Sequence, residues 1–343
     1  MGFVSEDVNL SLVTLASMWA LYLLSSQTGW TQIKNMIFKL RLSVSVVLHL
    51  LFSRDKKWNK KLIQDPDCIA NIEGTSKRVI FIRHGESDWN DIFNRGFGPM
   101  FPVRLIKGLL TELLSKFTTR DSIFVDSPLS PLGIRQANEL RAFLKGKPMN
   151  NDPEAERAFR LLQGDSSVGS SVSVSSTLRR AIATGAVGLQ DRVNRLDEKM
   201  LISSDLQEIS GNPDTIALAQ KGGCPDLDYL SKYIDGFSYD SFDPSSLNIG
   251  NKPVRGNGLT RLRRFANWMF TRNEETIIVN GHSLYFKHFF NTYLPASCSH
   301  PVRTKKISNC GVVSFSIKKA MYNNNVMFRI DPTSIQVVCG RIA

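Results

Sequence analysis

The chain of 343 residues is poor in cysteine, and what it has is scattered. Cys68, Cys224, Cys298, Cys310 and Cys339 are odd in number and contain no Cys-x-x-Cys pair. That argues against a disulfide framework and a structural zinc site, and reduced thiols in a cytosol-like compartment are the simpler reading. No His/Cys/Asp cluster has metal-ligand spacing and no P-loop occurs, so neither a metal nor a cofactor is expected. Zinc-finger spacing and RNA-binding aromatic signatures are missing too, and the basic residues form no single long run. Nucleic acid is therefore not an expected partner. Acid is the scarcer charge: 31 Asp and Glu against 43 Lys and Arg leave a formal charge of +12. Such a balance suits anionic partners, phosphate esters and acidic lipid surfaces among them.

Charge is absent altogether from residues 8–33. The most apolar part of this stretch, with its flanks, reads as one transmembrane helix near 9–26, since a span takes about 20 residues. Glu6 and Asp7 precede it, where a secretory signal would carry positive charge. A second apolar segment, 33–53, mixes Lys34, Lys39 and Arg41 with Ile37, Phe38, Leu40 and Val44. Its uncharged run, Leu42 to Phe52, is too short to span alone and suits a basic amphipathic helix in the interface. Arg54, Lys56, Lys57, Lys60 and Lys61 follow, which places the remainder of the chain on the cytosolic side. The alternative for both segments is a pair of helices packed on the surface of the domain that follows. Residues 1–54 thus read as a membrane-associated segment, spanning or lying on the bilayer, and 55–76 as a polar linker. Residues 77–343 read as one catalytic domain.

That domain opens on a short apolar run, Val79 to Ile82, which breaks into Arg83-His84-Gly85-Glu86. Such a run reads as a buried strand, and the carboxyl end of a central strand is where open α/β sheets bind ligands. Residues 91–125 have the look of an insertion. Gly96, Gly98, Pro99 and Pro102 mark a loop, and an amphipathic helix from Val103 to Phe117 forms either a pocket wall or an ordinary core helix. Ser130-Pro131 is an N-cap with proline in the first helical position, starting a helix to about Phe143. Ser175 to Thr184 runs strand into helix, with Arg179 and Arg180 in the first turn. A helix N-terminus favours an anion, and an arginine fork can take two phosphate oxygens. Glu208 follows in Leu206-Gln207-Glu208, with Asp205 close by. Loops from Gly222 to Gly258 are expected to cap the pocket, with Lys252 and Arg255 available to a distal anionic group. Thr276 to Val279 is a further strand, ending in Asn280-Gly281-His282-Ser283 before another helix. Val326–Ile330 and Ile335–Cys339 read as a closing hairpin.

Taken together, Arg83-His84-Gly85-Glu86 with Asn90, the Leu129-Ser130…Gly133…Gln136-Ala137 stretch, Ser176…Leu178…Arg180-Ala181…Thr184, Leu206-Gln207-Glu208 and Gly281-His282-Ser283 resemble the histidine phosphatase superfamily, the phosphoglycerate-mutase-like proteins. The resemblance covers about residues 77–320. It implies a three-layer α/β/α sandwich with a mostly parallel central sheet. It further implies that His84 is the nucleophile, taking the phosphoryl group as phosphohistidine. Glu208 would be the proton donor, with Asp205 second in line. Arg83, Asn90, Arg180 and His282 would bind phosphate, His282 also assisting transfer, and Arg179 would then face solvent or the pocket rim. The implied activity is phosphomonoester hydrolysis, on a phosphorylated small molecule, a lipid headgroup or a phosphoprotein. Phosphoglycerate mutases follow their acid with Tyr-Gly-x-Leu-x-Gly, whereas Glu208 is followed by Ile-Ser-Gly-Asn-Pro-Asp-Thr. A mutase, or a non-catalytic phospholigand-binding module, stays as the alternative.

Overall fold

A computed structural model of the chain describes residues 14, 15, 17–19, 21, 22, 25–59, 63, 65–148 and 152–343. Half of the span expected near 9–26 lies outside this set. The second apolar segment is longer than its charges suggested. It belongs to α1 (Gln27–Phe52), one 26-residue helix capped by Ser26, whose side chain accepts the Gly29 N–H. No proline interrupts it, and the three cations sit on good helix-forming residues. By length and composition α1 could cross a membrane.

The domain is a sheet with helices on both faces. β1 (Thr75–Arg83) leads through α2 (Asp88–Phe93), α3 (Phe101–Thr118), α4 (Pro131–Lys145) and α5 (Pro153–Leu162) to β2 (Ser171–Ser176). Then follow α6 (Arg179–Gly188), α7 (Gln190–Leu196), β3 (Met200–Ser203), β4 (Phe242–Asp243), α8 (Gly258–Met269), β5 (Thr276–Gly281) and α9 (Ser283–Tyr293). β6 (Val312–Tyr322), β7 (Asn325–Ile330) and β8 (Gln336–Cys339) complete the sheet. Strand order is β4-β3-β2-β5-β1-β6-β7, with β8 also on β6. The first five strands run parallel, while β6 to β8 are antiparallel additions.

Successive side chains on a strand point to opposite faces, so β1 needs two apolar sets. Val79 and Phe81 pack with Leu262 of α8 and Phe286 and Phe289 of α9, the Phe81 and Phe286 rings stacked 4.0 Å apart. Ile80 and Ile82 face Ile134 and Leu140 of α4 and Ile182 of α6. This is the three-layer sandwich, and its parallel strands bring their carboxyl ends to one edge.

Two connections differ from the sequence reading. β7 and β8 do not pair with each other, because both hydrogen-bond to the eleven-residue β6. The hairpin is β6–β7 instead, turned by Asn323 and Asn324 at φ 47° and 60°, the left-handed conformation that a two-residue hairpin turn demands. The stretch read as a linker is docked at both ends. Asp55 is buried, and Ile69 packs on Ala320 and Met327.

Candidate active site

His84 follows directly on β1, and its N–H bonds to the Gly281 carbonyl at the end of neighbouring β5. That register sets His282 beside it, with ring centroids 5.1 Å apart. Two residues beyond β2, α6 begins, and Arg180 in its first turn points its Nε to His84 Nε2 at 3.4 Å. The loop after β3 delivers Glu208. Its carboxylate accepts the Leu284 and Tyr285 N–H groups at 3.3 and 2.8 Å, at the start of the helix that follows His282. Four strand ends thus bring one group of side chains together, and His84, Arg180, Glu208 and His282 are all buried. Arg83 is partly buried, and its Nη1 donates to the Ile307 carbonyl at 2.6 Å.

The protonation of His84 follows from its neighbours. Nδ1 lies 2.5 Å from the Gly85 carbonyl, which can only accept, so Nδ1 carries the proton. Burial, then the Arg180 and Arg83 guanidiniums, hold the ring well below the usual imidazole range. His84 is therefore neutral, with the Nε2 lone pair facing Arg180. Burial and the Arg180 charge depress His282 likewise. Neither ring nitrogen of His282 has a hydrogen-bond partner among the described residues. A buried polar group without a partner is costly, so these nitrogens suit a ligand.

The loop that carries His84 is held by backbone contacts. A Cβ on Gly85 would meet the Gly133 carbonyl at 2.6 Å, and one on Gly133 would strike the Glu86 carbonyl closer still. Gly85 therefore serves an approach to another backbone. The Gly85 N–H donates to Thr184 Oγ1 at 3.0 Å, and Gln136 Oε1 accepts the Glu86 N–H at 2.8 Å. Asn309 Nδ2 adds a 3.3 Å bond to the His84 carbonyl. Asn90 works within the capping box of α2, its Oδ1 accepting the Ser87 N–H.

Arg179 is not at the solvent. It is 1% exposed, donating to the Asp126 and Ser122 carbonyls, because α6 is buried along its whole length. Asp126 completes this anchor by accepting the Arg179 and Leu218 N–H groups, and burial pushes its carboxyl up to about 6. Lys252 is also turned inward. Its Nζ donates to Asp55, Thr215 and the Glu208 and Ser210 carbonyls, bracing the segment that bears Glu208. Arg255 stays exposed. Asp205 is engaged by Arg264.

One residue at the site escaped the sequence reading. Asp214 lies 3.2 Å from Arg180 Nη2, and Arg180 Nη1 also donates to its carbonyl at 2.6 Å. Burial raises its carboxyl, against the Arg180 charge, and its Oδ1 has no partner among the described residues. Asn212-Pro213 reads only as a turn, so nothing local marks Asp214 as a partner of Arg180.

No family model matches the chain, and no curated protein does. Solved structures do. A mycobacterial glucosyl-3-phosphoglycerate phosphatase solved with VO3 is 15% identical, over 74% of this chain and 97% of that one, with a TM-score of 0.37. A mycobacterial hydrolase is 15% identical over 78% and 93%, at 0.38. A mutant phosphoserine phosphatase of Entamoeba histolytica, solved with phosphoserine, is 16% identical over 75% and 97%, at 0.29.

Proposed function

We propose that this chain is a phosphomonoester hydrolase working through a phosphohistidine on His84. The observation that carries the reading is the setting of His84: its Nδ1 proton is held by the Gly85 carbonyl, and its Nε2 lone pair, accepting from the Arg180 Nε–H at 3.4 Å, is turned to the guanidinium that would hold a phosphate. Nε2 attacks phosphorus, the P–N bond forms, and the ester P–O bond breaks. Arg83, Arg180 and His282 face the equatorial oxygens, with the Asn90 amide as a further donor. The leaving alkoxide takes a proton from a buried carboxylic acid. Water then attacks phosphorus, the P–N bond breaks, and inorganic phosphate departs as the carboxylate recovers a proton from that water.

Two carboxyls compete for the acid role. Glu208 matches the family position, yet its oxygens accept the Ile209, Leu284 and Tyr285 N–H groups. Asp214 has the raised carboxyl and the unpartnered Oδ1, beside the arginine that touches His84. Glu208→Gln and Asp214→Asn distinguish them on substrates of differing leaving-group pKa. Loss of the acid slows alkyl phosphates far more than p-nitrophenyl phosphate, whose leaving group needs no proton.

The reaction is tested by trapping. Wild-type chain incubated with labelled phosphomonoester is expected to yield acid-labile, base-stable phosphohistidine and to release inorganic phosphate. His84→Ala is expected to lose both label and turnover; full turnover in that variant overturns the proposal. Phosphate moved within a phosphoglycerate, without release, assigns a mutase instead.

A further inference from the structure

Helix α1 is inside out for a helix on a protein in water. Its buried residues are Gly29, Asn35, Lys39 and His49, while Leu40, Val44, Leu50 and Leu51 are exposed, Leu40 at 67%. The side that meets the domain carries these polar groups, with Phe38, Leu42 and Val46 half-buried. Lys39 Nζ donates to Ser115 Oγ of α3 at 3.0 Å and pairs with Glu112 at 3.5 Å. His49 Nε2 lies 3.2 Å from the Lys252 carbonyl. Helix α3 repeats the pattern. Its Gly108 is set against Ile92 and Phe124, while Ile106, Leu110, Leu113 and Leu114 are exposed, Leu114 at 75%.

Exposing these side chains forgoes about 25 cal/mol per Å² of apolar surface, and a contiguous exposed patch of this kind marks an interaction surface. Charge identifies the partner. The sequence of α1 contains no acid and that of α3 only Glu112. Glu112 is spent inward, on Lys39, the Ser122 hydroxyl and the Ile123 N–H. Lys34, Arg41 and Lys107 remain exposed beside the leucines. An apolar face edged by cations, with its one acid neutralised, complements acyl chains under anionic headgroups.

We propose that α1 and α3 together form a platform that lies in the interface of an anionic bilayer, apolar side chains down, and that α1 does not cross it. Lys39 and His49 hold α1 to the domain at points about 15 Å apart along its axis, so that length cannot run through hydrocarbon. The same docking sets the cavity that Glu86 shares with Val103 and Lys107 at the headgroup layer.

The test uses the full chain on phosphatidylcholine vesicles, with and without phosphatidylserine, doped with a lipid bearing a diazirine on its acyl chain. Photolysis and peptide mass spectrometry are expected to place lipid adducts on both α1 and α3, several-fold more with phosphatidylserine present. Leu110→Glu combined with Leu114→Glu is expected to remove the α3 adducts and leave hydrolysis of a soluble phosphomonoester unchanged. Adducts on α1 alone overturn the platform, as do α3-to-α3 crosslinks between copies in place of lipid adducts. Adducts on both helices of a chain without turnover support the platform while defeating the phosphatase reading, so the two proposals fail separately.

Discussion

The chemistry at residue scale turns on how two arginines shape one imidazole. Burial and the guanidinium charges lower His84 from the usual 6.5, so its neutral form persists as pH falls through that value. The acid limb of kcat/KM is accordingly expected below pH 6.5, and a pH–rate profile in the free-enzyme regime checks it. A limb at or above 6.5 would mean that burial and the arginines do not act on the ring as described. Arg180 is the second lever, since it meets both His84 and Asp214. Arg180→Lys keeps the charge but loses the fork, and a drop in kcat on the order of 10² to 10³ is expected, measured against unchanged thermal stability.

Elements hold these residues through backbone approach more than through side chains. Where α4 meets the loop after His84, Gly133 leaves no space for a Cβ beside the Glu86 carbonyl. Gly133→Ala is expected to cost about 1–3 kcal/mol in urea denaturation, as overpacking does, and to lower kcat by moving the loop. Thr184 belongs to the same argument: it accepts the Gly85 N–H one turn after Arg180, so one helix both presents the arginine and pins the loop that carries His84. Its place in a Leu-x-Arg-Ala-x-x-Thr pattern is visible in sequence, whereas its partner, 99 positions away, is not.

For the whole molecule, the decisive contact lies between the segment before the domain and the loop that bears Glu208. Asp55 pairs with Arg261 and Lys252 in a buried cluster, and Lys252 reaches the Glu208 and Ser210 carbonyls. Removing one member leaves buried charge without compensation, so Asp55→Ala is expected to destabilise by about 3–5 kcal/mol in chemical denaturation. Loss of less than about 1 kcal/mol would show the cluster to be solvated. From residue order alone came the strand ends before His84, Arg180 and His282, because apolar runs, caps and glycines are local properties written along the chain, while the mostly parallel sheet and the place of Glu208 came from the resemblance. Only tertiary structure decided the inward turn of Arg179 and Lys252, the arrival of Asp214 at Arg180, and the outward leucines of α1 and α3. Those depend on which partner a side chain meets across tens or hundreds of residues, and burial of a charge or exposure of a leucine is a property of that meeting rather than of the residue.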